Sequence, residues 1–454
     1  MENRYFIQKK EDIDVLKKHF IMTSVDKASN SISLICKQFY LHNLQSELAS
    51  TFTYEETTVT QNDIIKSHVE FCHKFGISEV DKKLPFLHML PKFHKNPLDY
   101  RYIAAGRISS TKTLSKILSG VFKLVTLTMK HYDNYKFKFK ETSRFWIVQN
   151  KDTTLTNLNY LNNIGKAHTI KSFDFKKLYT NLPHDKVISK ISDIIDRCFA
   201  EKKVKFVNVS QRYTASWSNK GSGHWAFTKD DLIQMFQFLM ENIYVTFGNK
   251  IYRQVIGIPM GCDCAPQVAD LFLFWYEHDF VSKKVLDKDP IVHQLKHCGR
   301  YIDDLNAPNV DTRLSRVICE EIYPTDLEII DTNPTDTMES TFLDMQINVS
   351  NGTFHTKLYD KRRDFSFNVV SFPNLRSNVP CKQSYGIFVG ELFRLCKSSS
   401  KLDDFIVEVK ALISKLIKQK FDKNTLYKRL GCFLKSRPAC LSKYWANLNT
   451  ALFV

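Results

Sequence analysis

The feature that most constrains this chain is the hexapeptide Arg300-Tyr301-Ile302-Asp303-Asp304-Leu305. Two adjacent carboxylates that follow aromatic and β-branched residues suit the tight turn of a β-hairpin, which presents at least one carboxylate to a metal. Upstream, Ser172-Phe173-Asp174-Phe175 reads as a strand end carrying a carboxylate, followed by Lys176, Lys177, Leu178 and Tyr179 before Pro183. Adjacent strands can bring Asp174 beside Asp303 although they lie far apart in sequence. Phosphoryl transfer by two metals needs carboxylates that hold Mg²⁺ ions about 3.5 to 4 Å apart, and one strand carboxylate with one hairpin carboxylate meets that need. Taken singly, Asp174 reads as a strand terminus or as a partner of Lys176 or Lys177.

Charge narrows the ligand. The chain has 65 Lys and Arg against 48 Asp and Glu, a net charge of +17, so its expected large partner is a polyanion. With 43% hydrophobic residues it can bury a large core, and with only 14 Gly and 13 Pro it is neither collagen-like nor low in complexity. No P-loop and no GxGxxG is present. The 11 cysteines include no CxxC, and Cys262 and Cys264 stand too close for a usual zinc knuckle, so they read as reduced thiols of an intracellular protein. Met1 to Lys10 lack an apolar segment, and the longest apolar stretch, Ala269 to Tyr276, is short and broken by Asp270; neither secretion nor membrane insertion is expected.

Periodicity predicts helices from Thr113 to about Tyr132, from Asp185 to about Phe199, and from Lys229 to Ile243 with Thr228 as N-cap. A further amphipathic helix starts at Leu402, with Lys410, Lys415, Lys418 and Lys420 off its apolar face. A strand run, Ile32 to Cys36, follows turn-like residues 26–30. The polar stretch 201–223 reads as a long loop or hairpin insertion. Between the two acidic clusters lies Gly257-Ile258-Pro259-Met260-Gly261-Cys262-Asp263-Cys264-Ala265-Pro266, a loop into a helix on which a base pair could rest, its glycines allowing close backbone approach. Leu90-Pro91-Lys92-Phe93-His94-Lys95, with Arg101 beyond it, reads as a basic hairpin able to grip a triphosphate, Arg101 by bidentate geometry and Lys92 as a point charge.

The order of these four clusters resembles the right-handed polymerase core of reverse transcriptases, and their wording resembles the Penelope-like retroelement branch, which is related to telomerase. The resemblance rests on LPKFHK, FDFKKLYTNLPH, GIPMGCDCAP, RYIDDL, FLDMQI with KLYDKR after it, and SYGIFVGEL, and extends from about Asp26 to Cys396. It implies an α+β right hand: an N-terminal extension leading into fingers over 1–83, fingers and palm over 84–360, and a helical thumb region over 361–454. It implies metal binding by Asp174 and Asp303, with Asp304 beside them and the Phe175 carbonyl as a further ligand. Lys92 and Arg101 become contacts to the incoming triphosphate, Tyr179 senses its sugar, and Pro259, Met260 and Gly261 support the forming base pair. Phe342, Leu343 and Asp344 occupy the primer grip.

The implied activity is RNA-directed DNA polymerisation with two Mg²⁺ ions, Mn²⁺ being a substitute, on an RNA template with a DNA primer and dNTPs, nuclear at the site of action. Many reverse transcriptases have Gln where Met260 stands, and no general-acid Lys can be placed near Glu328, Ile329 and Ile330. Family members often carry a GIY-YIG endonuclease after the thumb; none precedes Val454, so a separate endonuclease is expected. Two alternatives share the pattern: an inactive nucleic-acid-binding remnant of such an element, and an RNA-dependent RNA polymerase, against which the bulky Tyr179 argues. The sequence sets no oligomeric state.

Overall fold

Ile170, Phe173 and Phe175 all turn into the core, so the strand Ile170–Lys176 can only be an interior strand. In the computed structural model, which describes residues 10–50, 52–137, 143–367, 369, 371–436 and 438–444, it is one. The outermost parts of the expected first and third regions, residues 1–9 and 445–454, lie outside the described residues. The sheet is antiparallel, in the order Gly299–Tyr301, Asp304–Pro308, Ile170–Lys176, Glu328–Asp331. Lys171, fully buried in the central strand, is neutralised by Asp331 of its neighbour at 3.0 Å.

Helices Lys112–Phe137, His184–Lys202, Lys229–Glu241 and Ala265–Leu286 pack together against this sheet around Ile117, Phe122, Ile191, Phe236 and Phe272. Three match the expected helices, extended by a few residues or trimmed at Glu241. Thr228 caps the third: its hydroxyl accepts from the Asp231 amide while Asp231 accepts from the Thr228 amide. Pro266 sits in the first turn of the fourth.

Of the two alternatives for 201–223, the hairpin insertion is the one present: Phe206–Val209 and Ala215–Ser218 pair antiparallel, and Trp225–Phe227 adds a third strand, because Val207, Val209 and Phe227 alternate inward. It lies on helix Lys112–Phe137, with Trp217 Nε1 donating to Thr128 at 2.8 Å. The turn expected over 26–30 is tighter; strand Ala28–Cys36 begins at once after Lys27, which takes a left-handed φ of 61° and closes the hairpin with Phe20–Val25.

The basic segment is a regular hairpin of Leu87–Lys92 and Asp99–Ala104. Downstream, Glu339–Phe342, Met345–Ser350 and Thr353–Leu358 form a meander whose buried residues meet Ile170. Helices Cys381–Ser398, Leu402–Lys418 and Lys423–Lys435 then enclose a separate core of Phe388, Leu392, Phe405, Leu416 and Leu426. Among the described residues no helix is long and apolar enough to cross a membrane.

One fully buried cation joins the sheet to the helices. Arg300 donates from Nε to Glu277 Oε1, from Nη2 to Glu277 Oε2 at 3.3 Å and to the Asp270 carbonyl at 3.0 Å, and from Nη1 to Asp270 Oδ1 at 2.8 Å. The Tyr323 hydroxyl donates to Glu277 Oε1 at 2.9 Å. Removing one partner leaves a charge buried without compensation, which costs far more than the intact pair contributes. Glu277→Ala is therefore expected to lose about 3–5 kcal/mol of unfolding free energy, read from urea denaturation.

Candidate active site

Asp304 opens the strand Asp304–Pro308, and its Cα partner across the ladder is Asp174. Directly paired residues of antiparallel strands project from the same face, so the two carboxylates stand side by side. Asp303 lies in the two-residue turn between Tyr301 and Asp304. That turn places Ile302 at φ 57°, a left-handed conformation that glycine normally fills and that costs a β-branched residue about 1–3 kcal/mol. Arg300 Nη1 holds it there by donating to the Ile302 carbonyl at 3.0 Å. The buried cation thus fixes the turn that carries Asp303.

Among the described residues none of these three carboxylates forms an ion pair. Lys176, offered by the sequence as a partner for Asp174, pairs instead with Glu328. Burial, then the charge of Asp303, pushes Asp174 up against the pull of Lys95, Lys361 and Lys27. Asp304 is pushed up to about 6, first by burial and then by Asp303, with Asp174 adding to it and Lys361 and Lys27 opposing. Crowded, half-buried carboxylates, two of them pushed up by burial and by the charge of the third, are a donor set suited to a hard divalent cation. No three His, Cys, Asp or Glu side chains among the described residues converge into a ready-made cage. Phe175 turns its ring into the core against Tyr323, leaving only its carbonyl for ligation.

A cavity of about 240 Å³ opens beside Asp174 and Asp304. Phe342, Leu343 and Asp344 line it from the turn of the meander, where Leu343 and Asp344 both take positive φ. Asp344 is tied to Arg394 of helix Cys381–Ser398 at 2.9 Å. The cations lining the cavity are Lys27, Lys95 and Lys361, which sequence reasoning did not single out. Lys95 lies in the quoted basic segment, Lys361 in KLYDKR and Lys27 in the turn expected over 26–30, but nothing in those segments by themselves points to a shared cavity. Lys92 pairs with Asp99 across its own hairpin at 2.6 Å and does not line the cavity. Arg101 binds the buried Asp26 at 3.0 Å, beside Lys27.

Tyr179 follows the central strand after Lys177, which takes φ 53°, and is half-buried. Burial raises its hydroxyl pKa first, and Asp303 adds to this. The loop of residues 257–261 is bonded to the same turn: the Ile258 amide donates to the Tyr179 carbonyl at 2.7 Å, and the Gly257 amide to the Leu182 carbonyl at 2.8 Å. A Cβ on Gly257, at φ 84°, would lie 2.4 Å from the Tyr179 oxygen; one on Gly261, at φ 131°, would lie 2.1 Å from the Ala104 oxygen. No other residue fits either place. The Ala104 amide donates to the Met260 carbonyl at 3.0 Å, so Pro259, Met260 and Gly261 are held between the Tyr179 turn and the basic hairpin.

No family model matches the chain, and no curated protein matches it. Solved structures do. Telomerase from Candida albicans, in complex with a TWJ fragment of telomeric RNA, aligns with a TM-score of 0.60 at 13% identity, over 97% of this chain and 72% of that one. Apo telomerase from Candida tropicalis gives 0.51 at 12% identity, over 95% and 70%. The same enzyme with a TWJ fragment gives 0.51 at 14%, over 93% and 64%. The fold is accordingly that of a right-hand polymerase of reverse-transcriptase type, α+β with the paired aspartates on an antiparallel sheet.

The raised carboxyls have a consequence for stability. An unfolded Asp titrates near 3.9, so between about pH 4 and 6 the folded chain binds more protons at Asp304 than the unfolded one. The stability from this group is present below that window and is lost as pH rises through it. With a chelator present, the melting temperature of Asp304→Asn relative to the parent is expected to rise from pH 4 to 6.5; a constant difference refutes the coupling.

Proposed function

We propose that this chain is an RNA-directed DNA polymerase of a Penelope-like retroelement, or a domesticated copy of one. The observation that carries the reading is the register that sets Asp304 beside Asp174, with Asp303 in the adjoining turn. Such an arrangement suits a nucleotidyl transfer in which a primer 3′ hydroxyl attacks the α-phosphate of a dNTP and pyrophosphate leaves. Bound Mg²⁺ supplies charge stabilisation to the attacking and leaving oxygens, and Mn²⁺ is a substitute. Asp174 and Asp303, with Asp304 and the Phe175 carbonyl beside them, would hold it.

The chain's own residues supply the rest. Lys27, Lys95 and Lys361, with Arg101 steadied by Asp26, offer fixed positive charge to a triphosphate. The jammed loop of Pro259, Met260 and Gly261 provides a rigid floor for a base pair. Phe342, Leu343 and Asp344, on a tight turn facing the carboxylates, are placed to hold a primer end. The net charge of +17 suits a nucleic-acid duplex, and the telomeric RNA fragment in the Candida albicans structure supports RNA as template.

Primer extension on poly(rA) with oligo(dT) tests the reading. Extension is expected with Mg²⁺ or Mn²⁺ and not with EDTA, and Asp174→Asn or Asp303→Asn should lower it by several orders of magnitude with little change in melting temperature. Retained extension in either variant overturns the metal assignment; absence of extension in the parent favours the inactive remnant.

Sugar choice separates this reading from an RNA-making polymerase. Tyr179 stands one turn beyond Asp174 and close to Asp303, where its ring would exclude a 2′ hydroxyl. Tyr179→Ala is expected to admit ribonucleotides while dNTP extension stays measurable. A purely packing role for the ring predicts instead a loss of about 3–5 kcal/mol in stability with sugar preference unmoved.

A further inference from the structure

Cys262 and Cys264 flank the start of helix Ala265–Leu286, and their sulfurs lie 3.6 Å apart. Both sit on one hydroxyl, that of buried Ser115, whose Oγ is 3.1 Å from the Cys262 sulfur and 3.8 Å from that of Cys264. Ser115 Oγ also accepts the Asp263 amide at 2.8 Å and the Cys264 amide at 3.3 Å. With its acceptor sites so used, the single hydroxyl proton is left to the two sulfurs, of which Cys262 is the nearer and Cys264 the acceptor. Asp263, between the two thiols, turns away to Lys112 at 2.7 Å, so its charge does not face them closely. The positive end of a 22-residue helix dipole begins at this point. Cys262 is partly exposed and Cys264 is buried, which sets one as the attacked thiol and the other as its resolver.

We propose that Cys262 and Cys264 form a redox modification site, closed by hydrogen peroxide to a disulfide that shifts the adjoining loop of Pro259, Met260 and Gly261. The Cys262 thiolate attacks a peroxide oxygen, the O–O bond breaks, and the departing hydroxide takes up the proton that Cys262 gave up, leaving a sulfenic acid and a first water. The Cys264 sulfur then attacks the Cys262 sulfur, the S–O bond breaks, and the departing hydroxide takes the Cys264 proton as a second water. Two thiols are oxidised and one peroxide is reduced. The hydrogen bond from Cys264 and the Ser115 contact both favour Cys262 as thiolate, against burial.

The bond has a mechanical cost. The sulfurs must close from 3.6 Å to about 2.05 Å. The Cys262 amide donates to the Pro259 carbonyl at 3.1 Å, so the turn moves with it. Gly261 already packs against the Ala104 oxygen with no room for a Cβ, so the loop cannot follow without breaking the bond from the Ala104 amide to the Met260 carbonyl. The effect on catalysis rests on the polymerase reading; the thiol chemistry and the loop shift do not.

The test treats the purified full chain with equimolar hydrogen peroxide and reads it by peptide mass and by hydrogen exchange. The expected product is the peptide holding Cys262 and Cys264 lighter by two hydrogen atoms, restored by dithiothreitol, with faster exchange at the Ala104 amide in the oxidised form. Cys264→Ser should stop at a sulfenic acid on Cys262 that dimedone traps, and Cys262→Ser, which keeps a hydrogen-bonding group of similar size, should show neither product. Both thiols remaining alkylatable after peroxide, or Cys262 joined to another cysteine, overturns the site. A disulfide formed with Ala104 exchange unchanged overturns the loop shift. Loss of primer extension on oxidation, reversed by dithiothreitol, supports the link to catalysis, whereas a reduced chain without extension counts against the polymerase reading alone.

Discussion

Everything at the centre of this molecule depends on one buried guanidinium. Arg300 occupies the last position before the aspartate turn where a side chain still points inward, and it is met there by Asp270 and Glu277 of a single helix. Those two residues stand seven apart, two turns of helix, and so face the same way. Two carboxylates turned toward the buried side of that helix would be costly alone, as would the cation. Together they form a junction that only one alignment of hairpin and helix satisfies. Specificity, more than net stability, is what such a buried pair contributes here, since it also fixes the carbonyl of a strained Ile302.

The site rests on a second constraint, which is repulsion left in place. The charge of Asp303 raises the proton affinity of Asp174 and Asp304 while lysines stand near without pairing with them. A fold optimised only for stability would place a cation in contact. The nearby lysines lower the electrostatic burden while leaving the carboxylate oxygens free for another ligand. Fold strain and charge crowding therefore coincide at the same turn, as is common where local rules give way to function.

Much of this was legible in the sequence. Helical periodicity located four long helices because each has one apolar face, and strand and turn chemistry brought Asp174 to the aspartate turn, although the residue that faces it across the ladder is Asp304 rather than Asp303. What was not legible depended on distant partners. The stretch 201–223 left a loop and a hairpin insertion open, because its polar residues face outward and the inward alternation that makes it a hairpin is only three or four residues long. Arg300 stood in plain view, yet its role required knowing that Asp270 and Glu277 face it. Lys27 and Lys361 reach the cavity from opposite ends of the chain, and no local pattern marks a residue whose meaning comes from where its turn lands. Lys92 looked equivalent to Lys95, but the cross-strand partner Asp99 captures it.

The sheet order carries a consequence for how the protein comes into being. Strand Ile170–Lys176 is paired on both sides by strands made much later, Asp304–Pro308 and Glu328–Asp331. During synthesis at about 5–20 residues per second, its two edges wait on the order of 10 s for their partners. A nascent or truncated chain that ends before Asp331 therefore has an apolar strand edge to shield, and one that ends before Asp304 lacks half of the carboxylate pair as well. Late closure makes this protein dependent on protection while it is being made, and it ensures that the carboxylate face is assembled only in a chain that already holds helices Lys112–Phe137, His184–Lys202, Lys229–Glu241 and Ala265–Leu286.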